Sequence, residues 1–222
     1  MNSKYYAIIV AGGTGSRMNT DIPKQFIEID GKPLIIFSIE AFYDYKKDIE
    51  IIIPVHADYR QLLEKILEKY GYSEITIVTG GATRYHSVKN ALEKLTTEGW
   101  VAIHDAARPV IDKDFVAGLF EHALLNGNAV PAVQINETVR QLNGGRSEVI
   151  DRSNLRLIQT PQVFDVNSLK DAYVIHHTAS FTDDAMVMEA SGHHISLCEG
   201  NPSNIKVTNA ADLTIVSEIL KR

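Results

Sequence analysis

Short apolar runs alternate along the chain with longer segments of helical period. Residues 5–10, 49–55, 74–78, 100–104 and 129–133 are brief, β-rich and apolar, the pattern of strands buried on both faces. Between them, residues 33–45, 58–70, 83–95 and 112–125 repeat apolar positions at helical spacing. Pro33 opens the first of these helices, and Asp58 is the expected N-cap of the second. In the third, Val88, Ala91, Leu92 and Leu95 share one face. The alternation predicts an α/β fold: a Rossmann-like, mostly parallel sheet with helices on both faces. Residues 136–159 break the rhythm. Residues 138–142 and 148–150 flank NGGRS, a hairpin signal, and predict a projecting β-hairpin arm. A helix at 183–190, a strand at 194–198 and a helix at 210–220 complete what reads as one domain over residues 1–222.

Sheets of this kind bind ligands at the carboxyl ends of their strands. Three polar clusters fall there: AGGTGSR after Val10, TGGATR after Val78 and HDAAR after Ile103. The three ends are expected to converge on one crevice. Neither common nucleotide motif is present in the first cluster. It lacks the Gly-Lys-Ser/Thr ending of a P-loop, and Met18 holds the third glycine place of a dinucleotide fingerprint. The physics behind those motifs still applies. Glycines let backbone N–H groups approach a phosphate or a base, Arg17 offers a rigid fork of donors, and Lys24 a mobile point charge beside the fixed Pro23. A plainer reading is a tight turn with a surface arginine. Plain readings exist also for Arg84 (a helix-start surface residue), Lys206 (a solvated charge) and Asp105 (an acceptor for local N–H groups).

Composition narrows the partners. The 222 residues are 45% apolar and 23% charged, enough for a core, with a net charge of −6. Bulk attraction to nucleic acid or an anionic membrane is therefore not expected, and any phosphate site must come from local cations. No apolar run approaches the roughly 20 residues of a membrane span. Cys198 is the single cysteine, which excludes an internal disulfide, and the chain reads as cytoplasmic. The neighbouring pairs His176-His177 and His193-His194 are poor chelates, because adjacent side chains do not share a face.

AGGTGSRM and PKQF together resemble the nucleotidyltransferases that activate sugar and polyol phosphates on a GT-A-like fold. GGATRYHSV, HDAARP, TPQVF, FTDDAMVME and EGNPSNIKVT follow in order, and with them nearly the whole chain resembles the 2-C-methyl-D-erythritol 4-phosphate cytidylyltransferase family. The resemblance implies transfer of CMP from CTP to a polyol phosphate, with release of pyrophosphate. It implies that Arg17, Lys24 and Lys206 hold the triphosphate and stabilise the transition state. Ala11, Gly12, Gly13, Thr14 and Gly15, with Gly80, Gly81, Ala82, Arg84, Ser87 and Asp105, would bind the nucleotide. Many relatives carry an acidic residue at the place of Ala82, so backbone contacts are what this chain keeps there. Asp105, Arg108, Thr138, Arg152, Thr160 and Thr182 would face the acceptor. Thr138 and Arg152 would do so from the arm of a second subunit, which makes a homodimer with exchanged arms the expected assembly. Mg²⁺ is the implied cofactor, held by the triphosphate rather than by a dedicated protein cage.

Two alternatives stand beside this reading. Ribitol 5-phosphate cytidylyltransferases share the glycine turn, PKQF and TPQ. Arg152 directly after Asp151, and the pair Asp183-Asp184, are more like the methylerythritol group. The second is a non-catalytic nucleotide-binding or glycosyltransferase-like module: GT-A transferases usually hold their metal with a D-x-D motif, which neither Asp183-Asp184 nor HDAARP supplies, and a dead binding module would tolerate losing Arg17 or Lys24, which this chain keeps with Lys206.

Overall fold

The structure is a computed structural model and describes residues 3–13, 22–174 and 181–221. In chain order the elements are β1 (Lys4–Val10), β2 (Glu28–Ile29), β3 (Lys32–Pro33), α1 (Leu34–Tyr45), β4 (Glu50–Val55), α2 (Arg60–Tyr70), β5 (Thr76–Thr79), α3 (Arg84–Leu92), β6 (Gly99–Asp105) and α4 (Lys113–Asn126). There follow β7 (Asn128–Gln134), β8 (Val139–Asn143), β9 (Arg146–Ile150), β10 (Arg156–Ile158), β11 (Gln162–Asp165), α5 (Val166–Ala172), α6 (Asp184–Ala190), β12 (Leu197–Glu199) and α7 (Ala210–Leu220).

The main sheet runs β10-β7-β11-β6-β1-β4-β5, with β12 beside β7. β1 is parallel to β4 and β6, and β4 to β5. This parallel half carries the strand ends expected to bind ligand. The other half is mixed, because β11 runs antiparallel to both β6 and β7. Side chains of β1 alternate faces as a buried strand requires. Ala7 and Ile9 pack with Ile35, Phe42, Leu63 and Phe120 from α1, α2 and α4. Tyr6 and Ile8 pack with Val88, Leu92, Leu169 and Met188 from α3, α5 and α6. Each fully buried aliphatic side chain contributes about 1.5–3 kcal/mol, so this two-sided core fixes the strand ends relative to one another.

Three local expectations are corrected. Asp58 does not cap α2; it lies inside a 3₁₀ turn, Ala57–Tyr59, and its N–H donates to His56 Nδ1 at 3.3 Å. The helix then starts at Arg60 without a side-chain cap. α3 stops at Leu92, although Leu95 beyond it remains buried. The arm is shorter than 136–159: residues 156–158 return to the main sheet as β10, antiparallel to β7. What remains is the β8–β9 hairpin, a two-stranded sheet of its own. Its turn uses Gly144 and Gly145 at φ 53° and 84°, the positive values that a two-residue hairpin turn demands at both centres.

Candidate active site

The crevice begins where β1 ends. Ala11 donates to the Pro54 carbonyl at 3.0 Å, which holds the chain against β4 as it enters the glycine turn. At the neighbouring strand end, Gly80 donates to the Val55 carbonyl at 2.7 Å and Gly81 to Ser87 Oγ at 3.0 Å. Ser87 is buried and donates in turn to the Thr83 carbonyl at 3.0 Å. A Cβ on Gly12 would lie 3.0 Å from Ser87 Oγ, and one on Gly80 would lie 3.2 Å from the same atom. One serine hydroxyl therefore stands between the two glycine turns, and a side chain at Gly12 or Gly80 would press on it. Thr83 caps α3 by accepting from His86 N–H, and so aims the start of that helix at the same space.

The resulting cavity has a volume of about 740 Å³. Two lysines reach it from distant parts of the chain. Lys24 follows Pro23 in a 3₁₀ turn, and its Nζ donates to the Val207 carbonyl at 2.8 Å. The neighbouring Lys206 donates to Asp105 Oδ2 at 2.7 Å. Gln25, buried, donates through Nε2 to the carbonyls of Ala11 at 2.7 Å and Gly13 at 3.0 Å. The lysine segment and the glycine turn are thus tied into one unit.

Asp105 is the hub of the site. Its Oδ1 accepts from Arg84 Nε at 3.1 Å, its Oδ2 accepts from Lys206, and Arg108 Nε stands 3.8 Å from Oδ2. Burial works to raise the pKa of this carboxyl. Arg84, then Lys206 and Arg108, overcome that effect and hold it well below the usual carboxylate range. Behind it the Asp105 N–H donates to Thr160 Oγ1 at 3.0 Å. Thr160 pairs with His104 Nδ1 at 3.2 Å, while His104 Nε2 stands 3.0 Å from the Arg108 carbonyl. A carbonyl can only accept, so Nε2 carries the proton and Nδ1 accepts from the threonine hydroxyl. Burial pushes the His104 pKa down to about 4, which keeps this ring neutral. Arg84 also donates from Nη2 to the fully buried Asp184 at 2.7 Å.

The structure gathers most of the nucleotide set. Gly12, Gly13, Gly80, Gly81, Ala82, Arg84, Ser87 and Asp105 line the cavity with Lys24 and Lys206. Ala11 lies just behind the wall, buried. Thr14, Gly15 and Arg17 fall outside the described residues, as do His176 and His177. The acceptor set divides. Arg108 and Thr160 stand behind Asp105 rather than on the wall, and Arg108 Nη1 is bonded to the Asn204 carbonyl at 2.9 Å. Thr182 is exposed and donates to Met186 Sδ at 3.3 Å. Thr138 and Arg152 are exposed at the arm, and Arg152 Nη1 donates to the Asn136 carbonyl. His193 and His194 are exposed, and among the described residues no three His, Cys, Asp or Glu side chains converge as a metal site. Sequence reasoning missed the roles of His104, Gln25 and Asp184. A polar residue inside an otherwise apolar strand was the available signal for His104.

At the carboxyl ends of parallel strands, two glycine turns and two lysines make a cavity suited to the phosphates of a nucleotide, the arrangement that a nucleotidyltransferase needs. The sequence profile of IspD, 2-C-methyl-D-erythritol 4-phosphate cytidylyltransferase, matches residues 5–222. The 2-C-methyl-D-erythritol 4-phosphate cytidylyltransferase of Phocaeicola vulgatus is 42% identical over 216 residues, spanning 97% of this chain and 99% of that protein. The crystal structure of 4-diphosphocytidyl-2C-methyl-D-erythritol synthase from Anaerococcus prevotii superposes with a TM-score of 0.84 at 26% identity, covering 99% of this chain and 97% of that one. The bifunctional IspDF of Campylobacter jejuni superposes with a TM-score of 0.81 at 28% identity; this chain covers 54% of its length. The chain belongs to the 2-C-methyl-D-erythritol 4-phosphate cytidylyltransferase family.

Proposed function

We propose that this chain transfers the cytidylyl group of CTP to 2-C-methyl-D-erythritol 4-phosphate, in isoprenoid precursor synthesis. The observation that carries the reading is the meeting of Lys24 and Lys206 at one glycine-walled cavity, with Asp105 between Lys206 and Arg84. A phosphate oxygen of the polyol phosphate attacks the α-phosphorus of CTP in line. The bond from that phosphorus to the bridging oxygen breaks, and pyrophosphate leaves with the electron pair. The nucleophile is already an anion, so the protein supplies positioning and charge rather than a proton acceptor.

Lys24 and Lys206 change partners in this reading. They leave the Val207 carbonyl and Asp105 for phosphate oxygens, and neutralise charge as it moves to the leaving group. Arg17, by the family resemblance, joins them on the triphosphate. The backbone at Gly80 and Gly81, with Ser87, closes on cytosine and ribose. Asp105 is the single carboxylate among the described residues lining the cavity, and its two oxygens already face three cations. That donor set fits a Mg²⁺ ion brought in by the triphosphate better than one resident on the protein. When bound, such an ion screens the phosphate charge and polarises the α-phosphoryl group.

Thr138 and Arg152 act in a partner subunit of a homodimer, where the arm completes the acceptor site. The arm's Leu142 and Val149, 77% and 63% exposed in one chain, support a partner surface over the hairpin. Product analysis with CTP and either 2-C-methyl-D-erythritol 4-phosphate or ribitol 5-phosphate tests the acceptor. The expected result is the CDP-methylerythritol product in large excess; efficient turnover of ribitol 5-phosphate alone overturns it.

A further inference from the structure

The pair Asp183-Asp184 opens α6, and its two carboxylates do different things. Asp183 caps the helix, accepting from Met186 N–H at 3.0 Å, and accepts from Gln162 at 2.9 Å. Asp184 is 0% exposed and caps nothing. Its Oδ2 accepts from Arg84 at 2.7 Å and its Oδ1 from the Tyr173 hydroxyl at 2.6 Å. Tyr173 is itself buried and stacks on Tyr85 with ring centroids 4.7 Å apart. A buried carboxylate is costly to keep unless it is paired and hydrogen-bonded, and an apolar residue of equal volume often serves a core as well.

Arg84 gives that buried charge an outlet. Its guanidinium is gripped from behind at Nη2 by Asp184 and from the side at Nε by Asp105, while the residue lines the nucleotide cavity. With Nη2 and Nε both held, the guanidinium keeps one orientation at the cavity wall. We propose that Asp184, braced by Tyr173, is a positioning residue for cytidylyl transfer: it presets Arg84 toward the bound nucleotide. This rests on the reaction proposed above. Without the Asp184 charge, Arg84, Arg108 and Lys206 share Asp105 alone. The negative charge behind the crevice is lost, so attraction for CTP persists, but the guanidinium is no longer held where charge develops.

The test measures kcat and KM for CTP in the Asp184→Asn, Arg84→Met and double variants, each with a thermal unfolding curve. In folded Asp184→Asn, kcat is expected to fall at least about tenfold while KM for CTP changes less than about threefold. Because Asp184 acts through Arg84, adding Asp184→Asn to Arg84→Met is expected to leave kcat unchanged, and to restore stability by removing an unpaired buried charge. Wild-type kcat in Asp184→Asn, a change confined to KM, or additive losses overturn the inference. If Asp184→Asn does not fold, Tyr173→Phe decides: a loss in kcat of about threefold or more at near-wild-type KM supports the inference, and wild-type kcat overturns it. A wild type that turns over normally beside an unaffected Asp184→Asn defeats this inference alone. An inactive wild type defeats the reaction as well.

Discussion

Lys24 donates to the carbonyl of Val207 across 183 residues of chain, at 2.8 Å. That bond puts Lys24 beside the backbone that carries Lys206, so two cations far apart in sequence share one rim. A surface lysine would gain little from such a bond. A lysine that must wait for a polyanion gains a held position, and gives up a neutral acceptor easily when phosphate arrives.

Gln25 fastens the other side of this rim. Gln25→Leu leaves the Ala11 and Gly13 carbonyls without their donor in a largely buried place. The expected loss is about 2–4 kcal/mol in urea unfolding, together with a raised KM for CTP. An unchanged midpoint and KM would show that the glycine turn holds its shape without the side chain.

The two glycine turns differ in what they tolerate. A Cβ on Gly81 would lie 2.3 Å from His86 Cβ and 2.9 Å from the His86 carbonyl carbon, so Gly81→Ala must displace the start of α3. Gly13 has nothing within 4 Å of such a Cβ. Gly81→Ala is therefore expected to lower Tm by several degrees, while Gly13→Ala leaves it within about a degree. Equal shifts in the two melting curves would contradict the geometry.

His104 links stability to pH. Its folded pKa is depressed to about 4 from an ordinary 6.5, so its contribution is complete above pH 6.5 and is lost as pH falls toward 4. A gap of that size corresponds to about 3 kcal/mol. Protonation would also place a second N–H against Thr160, which needs Nδ1 as an acceptor. His104→Gln is expected to be less stable at pH 7 and to lack this slope in denaturant unfolding between pH 6.5 and 4. The same slope in both proteins would remove His104 as its source.

The parallel half of the sheet was legible in the sequence because its strands are short apolar runs separated by long periodic helices. α7 lies at the expected residues, 210–220. The other half was legible only in part: the strand expected at 129–133 is β7, but β10 and β11 beside it were not expected. β11 has four residues and follows a Thr-Pro step, too short for a period to show, and β10 looks like the tail of the arm until it meets β7. The crevice was legible because glycine turns and cations follow strand ends. The depth of the Asp105 cluster was not, since Thr160 reaches it from a remote segment, and Asp184 does so through Arg84, and the local patterns of those segments say nothing of the meeting. Arg84 shows the limit well: at a helix start it resembles any surface arginine, yet it bridges two acids.

The arm gives a test that needs two kinds of subunit. Arg152→Ala is expected to raise KM for the polyol phosphate at least about tenfold and to leave CTP binding intact. If arms are exchanged in a homodimer, mixing Arg152→Ala with Lys206→Ala subunits restores some activity, because one site of each hybrid receives both native residues. Equal loss of both substrates, or no recovery on mixing, would count against exchange.

Lys24 and Lys206 act together on the triphosphate in the proposed reaction. The direct measurement is the rate of pyrophosphate release from CTP with 2-C-methyl-D-erythritol 4-phosphate and Mg²⁺, in wild type, Lys24→Gln and Lys206→Gln. Each variant is expected to lose about a hundredfold or more in kcat while remaining folded. Folded variants releasing pyrophosphate within about twofold of wild type would contradict the account.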